Sequence, residues 1–99
     1  MATFHYNITN EIATELLAHG DNAKISSVHL ANKSDVPVYV DLYIEKLSTG
    51  KFYFLKNYFL QGSDFLLKTV SFNNSFKEFG LYVKLTKIGE TPAVDVILI

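Results

Sequence analysis

The sequence predicts an all-β fold: an antiparallel β-sandwich, Ig-like or jelly-roll-like, of seven or eight strands. Three observations lead there. Short segments alternate apolar and polar residues with a period of two, and polar turns separate them at roughly eight- to twelve-residue spacing, the pattern of a sandwich or barrel. Six Tyr and eight Phe in 99 residues favour strands over helices. The run from Lys24 to Lys68 reads as strand, turn, strand, loop, strand, turn, strand, with hardly a break.

The first expected strand is Phe4–Ile8, where Phe4, Tyr6 and Ile8 alternate with His5 and Asn7. Residues 10–19 are open between two forms. Ile12, Ala13, Leu16 and Leu17 have helical spacing, with Asn10 as a cap and Gly20 as a stop, so one short helix fits. Thr14-Glu15-Leu16-Leu17 equally extends into a sheet. Gly20-Asp21-Asn22 is a turn. Lys24–Leu30 alternates again, and Asn32-Lys33-Ser34-Asp35 turns the chain.

Val36–Leu47 carries the clearest pattern. Val36, Val38, Val40, Leu42 and Ile44 form one apolar face, and Pro37, Tyr39, Asp41, Tyr43 and Glu45 form the other. Pro37 is tolerable at a strand's first residues. Ser48-Thr49-Gly50 reads as a three-residue hairpin loop with Gly at the left-handed position. That loop sets Leu47 opposite Lys51, Ile44 opposite Phe54, Tyr43 opposite Leu55 and Asp41 opposite Asn57. The return strand is Phe52–Leu60, followed by the turn Gln61-Gly62-Ser63-Asp64. Phe65–Phe72, then Leu81–Thr86, then Ala93–Ile99 complete the set, with Asn73-Asn74-Ser75 and Gly89-Glu90-Thr91-Pro92 between them.

Size and composition bound the function. Ninety-nine residues, 48% hydrophobic, make a single domain spanning 1–99 with enough material for a core without disulfides or metal. Nine Lys and no Arg stand against ten acidic residues, for a net charge of −1. That balance argues against nucleic acid as a partner, and bidentate phosphate or guanine recognition is ruled out. No cysteine is present, which removes disulfides, zinc thiolates and thiol nucleophiles, and with no Trp either, an antibody-type Cys-Trp-Cys set is absent. The N-terminus lacks a basic stretch followed by an apolar one, so no signal peptide is expected. No apolar run approaches a membrane span, so no membrane partner is expected.

Few residues suggest chemistry. His5, His19 and His29 lack the local spacing of a metal site, so no metal and no cofactor is expected. Asp41 and Glu45 lie about 13 Å apart along one strand face. Glycosidase carboxylate pairs sit roughly 5–9.5 Å apart. Ser26, Ser27 and Ser71 have no base partner in sequence, and no Gly-rich phosphate loop occurs. Asn7, Asn32 and Asn73 head glycosylation-type triplets but read as turn formers. Tyr39, Tyr43, Tyr53 and Phe59 share the outward face in the register above. Such a face is an interface, the core of a second sheet, or a ligand platform. Asp41 and Glu45 on the same face would repel phosphate, which disfavours base stacking.

One segment resembles a known family. Ile25-Ser26-Ser27-Val28-His29-Leu30-Ala31-Asn32 leads into Val38-Tyr39-Val40-Asp41-Leu42-Tyr43-Ile44. Phe52-Tyr53-Phe54-Leu55-Lys56-Asn57 and Gly62-Ser63-Asp64-Phe65-Leu66-Leu67 follow, and Gly80–Leu85 with Val94-Asp95-Val96 form a final hairpin pattern. This order is similar to small β-sandwich structural proteins of tailed, marine-type bacteriophages, over about residues 14–99. Asn73–Phe79 departs from the pattern, and the first fifteen residues have no counterpart. The resemblance implies a non-enzymatic virion protein of the head, neck, tail or decoration type, made in the host cytoplasm and located in the virion. It implies a homo-oligomer or contact with other virion proteins, and no catalytic residues. The expected contact residues are Tyr39, Tyr43, Tyr53 and Phe59 on the aromatic face, with Val94 and Val96 if the last strand is free to pair with a neighbour. The competing reading is a carbohydrate- or receptor-binding module that uses the same tyrosines, with a glycan as partner.

Overall fold

The computed structural model describes residues 4–18, 24–46, 50–74, 79–88 and 91–99. The described residues form eight strands: β1 (Phe4–Ile8), β2 (Thr14–Leu17), β3 (Lys24–Asn32), β4 (Val38–Lys46), β5 (Gly50–Leu60), β6 (Phe65–Asn73), β7 (Phe79–Lys87) and β8 (Val94–Leu98). They form two four-stranded antiparallel sheets, ordered β1-β8-β3-β6 and β2-β7-β4-β5. The short helix that 10–19 allowed does not form among the described residues. Asn10, Glu11 and Ile12 bend, and β2 pairs with β7 instead.

The pairings are nested. β4 pairs with β5, β3 with β6, β2 with β7 and β1 with β8, each antiparallel. Pairings β3–β8 and β4–β7 then join these ribbons into two sheets. One long hairpin rolled onto itself is a jelly roll. The seven-strand Ig arrangement is excluded by the eight strands and their order.

Alternation places the core. Val28 and Leu30, then Val38, Val40 and Leu42, then Leu81, Val83 and Leu85, then Val94, Val96 and Leu98 all bury their side chains between the sheets. Each such burial contributes on the order of 1.5–3 kcal/mol. The 18 Å shortest dimension matches two sheets stacked roughly 10 Å apart plus side chains on the outer faces. Tyr6 OH donates to the Leu16 carbonyl, tying β1 of one sheet to β2 of the other.

Two expectations need correction. β4 starts at Val38, not Val36, because Pro37 has no N–H to donate and the Val36 N–H is taken by Ser34 Oγ at 3.2 Å. The β4–β5 register holds only at one end. Val38, Tyr39 and Val40 face Leu60, Phe59 and Tyr58 as the predicted pairing requires, but Ile44 faces Phe52 and Tyr43 faces Tyr53. Irregularities on either side of Leu42 absorb the two-residue slip. Asn57, at φ 52°, sits in that irregular stretch. Gly50 takes the positive φ foreseen for it, 104°. The same slip overturns the predicted Leu47–Lys51 pair, since Lys51 faces Glu45 and Lys46 faces Gly50. Residues 47–49 lie outside the described residues, as do the turn at 20–22, residue 75 and the turn at 89–90.

At the loop end of the roll, Asn32 joins two turns. Its buried side-chain Nδ2 donates to the carbonyls of Val36 (2.9 Å), Gln61 (3.1 Å) and Leu60 (3.4 Å), and its Oδ1 accepts from the N–H and Oγ of Ser34, both at 3.1 Å. The turn after β3 and the turn after β5 are thereby held together. Gly62 packs so closely there that an added Cβ would stand 2.2 Å from the Asp35 carbonyl oxygen.

Candidate functional site

The outer face of the β2-β7-β4-β5 sheet carries the aromatic cluster. The pairings align one lateral row across all four strands: Glu15, Tyr82, Tyr43, Tyr53. Tyr43 and Tyr82 stack with centroids 5.5 Å apart and planes 13° apart, and Tyr53 tilts against Tyr43 at 5.2 Å. Each such pair contributes about 0.5–1.5 kcal/mol beyond burial. Lys51 Nζ lies 5.0 Å from the Tyr43 ring centroid and Lys56 Nζ lies 4.7 Å from that of Tyr53. The Tyr82 hydroxyl donates to Glu15 Oε2 at 3.0 Å.

This row explains two proton affinities. Burial first, then the Glu15 carboxylate that accepts its hydrogen bond, pushes the Tyr82 phenol up to about 12. Burial first, then the negative groups around it, Glu45 foremost, raises the Tyr43 phenol above its usual value. Neither tyrosine is primed as a base.

A second row, Thr86, Tyr39, Phe59, lies four residues along β4, and Tyr39 meets Phe59 edge-on at 5.7 Å. Between the rows, Asp41 Oδ1 accepts the Asn57 N–H at 2.7 Å and Oδ2 lies 3.8 Å from Lys56 Nζ. Asp41 thus holds the irregular part of β5. The predicted ladder pair of Asp41 with Asn57 does not form, because the register breaks between Val40 and Leu42, and the two residues meet instead through the Asp41 side chain.

Tyr39, Tyr53 and Phe59 are 38%, 41% and 48% exposed on this outer face. Tyr43 corrects the expectation: at 3% exposure, its faces are covered by Tyr82, Tyr53 and Lys51. It offers no open ring to a glycan or partner and acts as the strut between its neighbours. Val94 and Val96 also require correction. Both are fully buried in the core, and β8 is an internal strand paired to β1 and β3, so its backbone is not free for a neighbouring subunit.

The outer face of the other sheet has a patch that the sequence reading missed. Phe65, Leu67 and Ile99 are 65%, 57% and 45% exposed. His29 lies beside them, its ring edge-on to Phe65 at 5.6 Å. His5 and His29 share a row with Ile97 between them, while His19 lies outside the described residues. Among the described residues no group of three His, Asp or Glu is placed to hold a metal ion. A shallow groove of about 330 Å³ follows the β1–β8 pair, lined by His5, Tyr6, Asn7, Asp95, Val96 and Ile97. Its carboxylate is engaged: Asp95 Oδ1 accepts from Asn7 Nδ2 at 2.8 Å and pairs with Lys33 Nζ at 3.3 Å. No helix among the described residues is long and apolar enough to cross a membrane.

No protein-family model matches the chain. No curated protein matches it. Among solved structures, the crystal structure of PirA is similar, with a TM-score of 0.60 over 97% of this chain and 91% of that chain, at 12% sequence identity. The likeness is one of fold.

Proposed function

We propose that this chain is a non-enzymatic structural component of a bacteriophage virion: a head, neck, tail or decoration protein made in the host cytoplasm and working through protein–protein contact. The observation that carries the reading is the cluster Tyr39, Phe59 and Tyr53 standing exposed on one sheet face. A free sandwich turns polar residues outward. Exposed aromatics grouped on one face are the usual composition of a protein interface. Tyr53 packs against the buried Tyr43 ring, and Tyr39 and Phe59 pack edge-on against each other, so these rings are partly pre-positioned. The sequence resemblance to phage β-sandwich proteins supplies the virion setting. The likeness to PirA concerns the fold and bears no weight here.

The test is incorporation into particles. Tyr39→Ser combined with Phe59→Ser removes two exposed rings and leaves the core untouched. Interface anchors of this kind contribute about 2 kcal/mol each, so the double variant should lose at least about tenfold in co-sedimentation with purified particles while melting like the parent. Unchanged co-sedimentation by a folded variant would reject this face as the contact.

A further inference from the structure

We infer that the outer face of the β1-β8-β3-β6 sheet is a self-association surface that packs against the same face of a second copy of this chain. The inference rests on the assembly reading above but concerns the opposite face of the roll and a different occupant.

Register brings the surface together. One row runs His5, Ile97, His29, Leu67 across the four strands, and the next runs Asn7, Asp95, Ala31, Phe65. Beyond the first row, Ile99 and Ser27 exchange backbone hydrogen bonds, and Ser27 faces Thr69. Phe65, Leu67, Ile97, Ile99 and Ala31 therefore form a contiguous apolar area at positions that a free sandwich fills with polar groups.

Charge selects the occupant. With histidine neutral, these rows carry one formal charge, Asp95, already matched by Lys33 at 3.3 Å. A nucleic acid or a charged peptide finds nothing to read here. A second copy brings the same neutral apolar surface, so a two-fold contact buries no unpaired charge and opposes no like charges. The opposite face of the roll differs: it carries charges of both signs, Glu15, Asp41, Glu45, Lys51, Lys56 and Lys84, and is a poor match for this neutral one.

The area sets the strength. Each strand residue covers about 16 Å² of sheet (3.3 Å by 4.8 Å). Strands of 5, 5, 9 and 9 residues make up the face. They present on the order of 450 Å² of flat sheet, so two copies bury at most about 900 Å², below the roughly 1,200 Å² of stable interfaces and in the range of weak, transient ones. The dimer is therefore concentration-dependent. Strand addition at the β6 edge is disfavoured, because Lys68 lies opposite the core residue Val28 and Ser71, at φ 46°, breaks the regular edge.

The experiment is absolute mass by light scattering across a concentration series of the full chain. The expected result is a rise from the 11.2 kDa chain mass to twice that value. Leu67→Glu and Leu67→Lys, each at an exposed position, should each remain at the single-chain mass. A parent chain that stays monomeric at every concentration overturns the inference, and so does a Leu67→Glu variant that still doubles. Particle incorporation lost with Tyr39 and Phe59 reads the other face, so the two proposals fail separately.

Discussion

Asn32 offers the sharpest test of how this roll is closed. Its amide is buried, donates to three carbonyls from two different turns, and accepts from Ser34. In Asn32→Ala the Val36 carbonyl keeps the Ser34 hydroxyl at 2.9 Å. The carbonyls of Leu60 and Gln61 and the Ser34 N–H lose the Asn32 partner. An orphaned buried group costs about 1–3 kcal/mol, and partial rehydration of the turns offsets some of it, so a loss of about 2–4 kcal/mol is expected. For a domain of this size that corresponds to a melting temperature lower by roughly 10–20 °C. Asn32→Asp discriminates between hydrogen bonding and shape. It keeps the volume but places a carboxylate oxygen among three carbonyl oxygens, so at pH 7 it should melt at least as low as Asn32→Ala. Thermal melts followed by circular dichroism measure both variants. Asn32→Asp melting within about 2 °C of the parent would show that shape alone is needed, and would refute the hydrogen-bond account.

Other consequences are equally direct. Gly62→Ala drives a methyl group to 2.2 Å from the Asp35 carbonyl, and a shift of the two turns should cost about 1–3 kcal/mol in urea unfolding; a neutral result would contradict the close packing. Alkaline titration of tyrosine absorbance should show a phase near pH 12 that vanishes in Tyr82→Phe and moves lower in Glu15→Gln. The sign for stability follows: the folded chain keeps a Tyr82 proton that the unfolded chain releases above pH 10. That contribution is therefore complete below pH 10 and is lost as pH rises through about 12, and Tyr82→Phe should flatten the decline.

Much of the roll was legible because alternation survives without its context. β4 shows it: Val38, Val40 and Leu42 are apolar at every second place, and all three are core residues. The parity of β6 was not legible, since Phe65 and Leu67 on one face and Leu66 and Val70 on the other are both apolar sets. Only pairing with β3 decides that Phe65 and Leu67 face out. The burial of Tyr43 depends on Tyr82, thirty-nine positions along the chain, and on irregularities beside Leu42 that no local pattern announces. Val94 and Val96 stand in an apolar terminal strand, and an apolar run does not tell an edge strand from an internal one. Which strands flank β8 is a property of the nested topology. In β2, four residues are too few for a period of 3.6 to be told from a period of two.

The central claim is that the chain acts as a copy-number component of a particle. Its most direct test is quantitative mass spectrometry of gradient-purified particles from cells that express the gene. The account predicts the chain at a fixed ratio to the other particle proteins, constant across preparations. Its absence from the particles, or a ratio that drifts with expression level, would contradict the claim.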